Sequence, residues 1–124
     1  MQIKSVLLVF IGGGLGSILR FILSKCINMN TFSFPWATFL INMLGCLLIG
    51  VFIELLFRLG LSVWWKWFLI TGFCGGFTTF STFSAELLEL ASMQKVLILT
   101  AYAGGSVFFG VLMALMGIFL VKQF

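Results

Sequence analysis

Four apolar stretches, each of about the twenty residues that a bilayer-spanning helix needs, follow one another in a chain of only 124. They run from about Ile3 to Ser24, Trp36 to Phe57, Trp65 to Leu90 and Val96 to Val121. Charged residues make up 8% of the chain and the mean hydropathy is +1.27. A soluble domain carries about 25% charged residues, and a chain this short cannot bury so much apolar surface in a core of its own. Lipid is therefore the expected solvent. Backbone groups in lipid must be bonded within their own segment, and the stretches lack the alternation of barrel strands, so all four read as helices.

The expectation is an all-α membrane protein forming one four-helix transmembrane domain over residues 1–124. The first stretch has no small-residue cleavage site and more spans follow it, so it reads as a span, not a removable signal peptide. Short connections join the helices. Asn28 to Pro35 holds the only proline and reads as a turn; Gly60 to Trp64 and Ser92 to Lys95 link the later spans. An even number of spans puts both termini on one side. That side gathers Lys4, Arg58, Lys66 and Lys122, against Lys25 and Lys95 on the other, with Arg20 just inside the membrane. So slight a bias leaves two readings open: ordinary insertion with the termini inside, or insertion both ways with pairing into an antiparallel dimer, which supplies what larger transporters hold as inverted repeats.

Several chemistries lose their residues. The chain has no His and its cysteines, Cys26, Cys46 and Cys74, form no CxxC pair, which disfavours an enzyme, a zinc site or a disulfide framework. Scattered cations argue against nucleic acid. Gly12-Gly13-Gly14-Leu15-Gly16 lacks the Lys-Ser/Thr of a phosphate loop. Gly12 with Gly16, Ala101 with Gly105 and Gly110 with Ala114 are spaced for close helix packing.

The third stretch carries the chemistry. Gly75-Gly76 precedes β-branched Thr78-Thr79 near mid-span, where adjacent glycines weaken a helix by about 1 kcal/mol each. A break there frees carbonyls, which can bind a cation as in discontinuous transporter helices. Beyond it Phe77, Phe80 and Phe83 share a face, with Thr78, Thr79, Ser81 and Thr82 between them. The bland reading is an aromatic packing stripe whose hydroxyls bond back to the preceding turn. The sharper reading is an anion path: the edge of a phenyl ring is positive, and hydroxyl or amide donors replace a small anion's water without trapping it. Asn42 adds an amide, as interhelical glue or as a donor. Tyr102 and Ser106 share a face of the fourth helix. Arg20 either snorkels or draws anions, and Glu86 reads as structural or gating.

Three motifs resemble the Fluc fluoride channel family, also called CrcB, over nearly the whole chain. Residues Gly12 to Arg20 resemble its first-helix pattern. Pro35-Trp36-Ala37-Thr38-Phe39-Leu40-Ile41-Asn42-Met43-Leu44-Gly45 resembles its PxGTLxxNxxG motif, with Ala37 for the usual Gly and Phe39 for the usual Leu. Gly72 to Phe83 matches its third motif throughout. The resemblance implies an antiparallel, dual-topology homodimer with two pores, passively exporting cytoplasmic fluoride across a bacterial inner membrane. It implies that Phe80 and Phe83 present ring edges to fluoride, that Asn42, Ser81 and Thr82 donate along a polar track, and that Thr38, Tyr102 and Ser106 belong to the same pathway. Arg20 is implied in the vestibule, and the Gly75 and Thr78 carbonyls of both subunits at a central structural Na⁺. Two other classes remain: a proton-coupled exporter of the small multidrug resistance type, which needs an acid in the first helix that this chain lacks, and a non-transporting accessory subunit.

Overall fold

A computed structural model describes residues 2–27 and 34–124. Helices α1 (Ile3–Cys26) and α2 (Trp36–Arg58) are continuous, as is the last, α6 (Val96–Lys122). Each of these three is long and apolar enough to cross a membrane. The stretch between them is segmented: α3 (Val63–Trp65), a π-helix π1 (Lys66–Cys74), α4 (Gly75–Phe77) and, after a break, α5 (Phe80–Ser92). The expected four-helix organisation with a broken third span is thus present, and no strand occurs among the described residues. Most of the turn expected over Asn28 to Pro35 lies outside the described residues.

Both described turns have a physical cause. Leu61 N–H returns to the Leu56 carbonyl and Gly60 N–H to that of Phe57, with Gly60 at φ +56°. Glycine adopts that left-handed conformation without a Cβ penalty. The same pattern recurs after α5, where Lys95 N–H reaches Leu90 and Gln94 takes φ +55°.

The helices pack as two parallel pairs, each closed by small residues. A Cβ on Gly12 would strike the Phe68 carbonyl, on Gly16 that of Phe73, and on Gly76 that of Gly13. α1 therefore lies backbone to backbone on π1 and α4. In the other pair, a Cβ on Gly50 would meet Ala114 and one on Gly117 would meet Leu47, closing α2 on α6. Such approach lets helices associate in lipid, where apolar side chains gain nothing by leaving the solvent. Ala101 with Gly105 is different: a Cβ on Gly105 would meet only Phe109 of its own helix. Few side chains are fully buried, among them Phe77 and Tyr102, while Phe10, Phe57 and Leu97 stand out from the surface. That inverted pattern is what a lipid-facing chain requires.

The break does not fall on its glycines. Gly75 keeps helical angles (φ −62°, ψ −36°), whereas Thr78 and Thr79 are extended, at ψ 156° and 114°. Glycine at 76 serves the approach to α1. The threonines take the break because their hydroxyls and a neighbouring amide replace the bonds the backbone gives up.

Candidate functional site at the helix break

A continuous helix would have Thr79 N–H bond the Gly75 carbonyl, four residues back. Here Thr79 N–H instead donates to Asn42 Oδ1 at 2.9 Å, and Asn42 Nδ2 donates to the Thr79 carbonyl at 3.3 Å. One side-chain amide from α2 thus bonds both backbone groups of Thr79, which satisfies polar groups that lipid cannot. Thr82 N–H, whose helical acceptor would be Thr78, donates to Thr79 Oγ1 at 3.2 Å, making Thr79 the N-cap of α5. The Gly76 carbonyl accepts from Arg20 Nε (3.1 Å) and Ser17 Oγ (3.3 Å) of α1. A cation beside the carbonyl end of a helical segment is also favoured by its dipole.

The Gly75 and Thr78 carbonyls have lost the N–H groups that a continuous helix would give them, and both residues line a cavity of ≈ 440 Å³ at the break. Two carbonyl oxygens suit a hard cation, but hard cations take more oxygens than two, so this chain alone supplies an incomplete shell. The cavity also gathers Asn42, Phe80, Phe83 and Ser106. Phe80 is 79% exposed and its ring lies 5.8 Å from that of Phe83. Ser106 Oγ is buried and, among the described residues, has no hydrogen-bond partner.

A second polar cluster follows along α5. Thr38 Oγ1 and Tyr102 Oη each donate to the Glu86 carboxylate, to Oε1 and Oε2 respectively, both at 2.6 Å. Thr38 is 7% and Tyr102 0% exposed, so α2 and α6 meet α5 through one carboxylate. Phe83 joins the two clusters, its ring 5.0 Å from that of Tyr102 in an edge-on arrangement.

The structure therefore divides the expected residues. Phe80, Phe83, Asn42, Ser106, Gly75 and Thr78 share the cavity. Thr38 and Tyr102 gather on Glu86. Ser81 and Thr82 touch the break through Thr79, with Ser81 Oγ 3.3 Å and Thr82 Oγ1 3.1 Å from Thr79 Oγ1. Arg20 reaches the break from the α1 side. Of the four hydroxyls at 78, 79, 81 and 82, only Thr78 bonds back along the helix, to the Cys74 carbonyl at 2.9 Å; the simple back-bonding explanation fits one of them.

Sequence reasoning names Thr79 only as one hydroxyl among four and misses its capping role and the Gly76 carbonyl, and it reads Glu86 as structural or gating. A hydroxyl residue directly before an apolar helical run is a recognisable N-cap signal for Thr79. Nothing local identifies Gly76 as an acceptor, because its donors stand 56 and 59 residues away.

Residues 7–118 match the family described as CrcB-like protein, Camphor Resistance (CrcB). The chain is 47% identical over 118 residues to the fluoride-specific ion channel FluC of Phocaeicola vulgatus, an alignment covering 94% of this chain and 98% of that protein. It is 43% identical over 122 residues to the protein of the same name from Flavobacterium psychrophilum, covering 97% and 98%. Identity to that of Bacteroides fragilis is 42% over 125 residues, covering 98% of each.

Proposed function

Because the chain belongs to the CrcB family of fluoride channels, a family of transport proteins and not of enzymes, we propose that it is a fluoride-selective channel exporting cytoplasmic fluoride passively. The observation that carries this reading is the cavity at the break. Two phenyl rings, an amide-clamped backbone turn and a buried hydroxyl with no hydrogen-bond partner among the described residues face one space. Ring edges and neutral donors suit a small, strongly hydrated anion that must leave again.

The functional unit in this reading is an antiparallel, dual-topology homodimer in a bacterial inner membrane, with two pores each lined by both copies. Two features support it. Phe80 projects away from its own chain at the edge of the cavity, and the Gly75 and Thr78 carbonyls make half a cation shell. A second copy related by a two-fold axis brings four carbonyls together around a structural Na⁺. The fluoride path then runs past Phe80 and Phe83, with Ser106, Ser81 and Thr82 as hydroxyl donors. Asn42 holds the turn from which Phe80 projects, Thr38 and Tyr102 meet the path at Glu86, and Arg20 attracts anions at its mouth.

Fluoride efflux from proteoliposomes, read with a fluoride electrode, tests the proposal. Fast release without a proton gradient is expected, with chloride largely excluded. Phe83→Ile removes the ring edge while keeping an apolar side chain. It should slow efflux about tenfold or more, the scale of one lost aromatic contact of ~1.4 kcal/mol, with the dimer retained on size exclusion. Efflux that runs only on a proton gradient, or an unaltered rate in Phe83→Ile, would sink the respective claims.

A further inference from the structure

A second cavity, of ≈ 620 Å³, opens at the far end of the α1 pair, where α1 and the third span both begin. Thr71 lines both cavities, but none of the residues of the proposed fluoride path lines this one. Val6 and Val9 of α1 and Val63 and Trp67 of the third span form its apolar walls, with Gln2 and Trp64 also lining it. Lys4 places its ammonium 4.5 Å from the centroid of the Trp64 ring and is itself exposed. A cation over an indole face is held electrostatically, and this one keeps its outer side open. The end of the bundle that holds the groove also carries Arg58, Lys66 and Lys122. The one acidic side chain there, Glu54, is engaged by Arg58 at 3.7 Å. Arg58 further donates to the Val121 and Lys122 carbonyls, tying the ends of α2 and α6 together here.

An apolar slot of this kind, in a span that starts at the membrane surface, suits an acyl chain. The charges decide which lipid. Trp residues sit at the headgroup level, and a basic residue at that level is attracted to anionic headgroups. We propose that the groove between α1 and the start of the third span is a binding site for an anionic phospholipid, its acyl chain between Val9 and Trp67 and its phosphate at Lys4.

Two of the groove's own residues report on the site. In a Trp36→Phe/Trp65→Phe variant, Trp64 and Trp67 are the only indoles left. The variant is reconstituted in vesicles of brominated phosphatidylglycerol or brominated phosphatidylcholine mixed with their unbrominated forms. The expected result is a relative affinity for phosphatidylglycerol about fivefold above that for phosphatidylcholine, the scale of one surface lysine. Adding Lys4→Gln should bring that ratio to about one, while Lys122→Gln leaves it unchanged. Fluoride efflux, which uses none of these residues, should stay as in the parent and confirms that each variant is folded. Equal quenching by the two lipids in the parent means an annular lipid without headgroup recognition and overturns the proposal. Absence of quenching by either lipid means that protein covers the groove, and overturns it as well.

Discussion

The two halves of the third span are held by opposite means. Before the break, π1 and α4 lie against α1 with glycine facing backbone, and the polar contacts are made by carbonyls. After it, α5 touches its neighbours through side-chain hydroxyls, an amide and a carboxylate, and its rings line an open cavity. The first half is fixed by steric exclusion, which admits a single register. The second is fixed by exchangeable hydrogen bonds, which can be offered to an ion. A channel needs both: an immovable wall, and a lining whose donors are few and weak enough to release what they bind.

The sharpest way to break this comparison is to substitute Gly76. Its missing Cβ faces the Gly13 backbone, and backbone cannot swing aside as a long side chain can. Gly76→Val should cost more than the ~1–3 kcal/mol of ordinary overpacking, and little monodisperse protein should survive detergent extraction. Gly104→Ala, with nothing near its Cβ, is the control and should purify normally. If Gly76→Val behaves like the control, the first half is not held by close approach.

Asn42 comes next in size. Asn42→Leu keeps the volume and removes both bonds to Thr79, leaving an N–H and a C=O unsatisfied at membrane depth. Each buried orphan costs about 1–3 kcal/mol, so the variant should fold less stably by about 3 kcal/mol in a detergent unfolding titration. Fluoride efflux should fall with it, because Phe80 follows directly on the turn that Asn42 holds. Unchanged stability would mean that the turn is held by something other than side-chain hydrogen bonds.

Much of this is legible in the sequence. The outer limits of every helix lie within two residues of where the apolar stretches place them, because the length of a span is set by the bilayer and the stretches end in Lys, Arg or turn residues. The broken third span was legible as a segment but not as a point. Gly-Gly has the weakest helix propensity, and propensity yields to tertiary packing: here α1 needs Gly76 in a helical turn against Gly13, and the break moves to Thr78 and Thr79. The π-helical stretch Lys66–Cys74 left no local signal that could be read. In the site, type and spacing selected Asn42, Phe80, Phe83 and Ser106, which do share one cavity. What they could not give was direction. Thr38 and Tyr102 turn to Glu86, a partnership between residues 48 and 16 positions apart, and only the packing of three helices decides it.

The smallest effect is the most discriminating. Thr79 Oγ1 accepts from Thr82 N–H and donates to Thr82 Oγ1, so its hydroxyl both starts α5 and connects the break to the hydroxyls beyond it. Thr79→Val keeps the shape and the β-branching that favours extended backbone, and loses the cap alone, worth about 1 kcal/mol. Thr79→Ser keeps the cap and loses the branching. If hydroxyls fix the second half, Ser should match the parent in unfolding titrations while Val falls by about that amount. Efflux should separate the pair in the same order, because an uncapped α5 frays where Phe80 and Ser81 sit. The opposite order, with Val retained and Ser weakened, would show that the break is set by backbone preference, and would assign the second half to the same steric logic as the first.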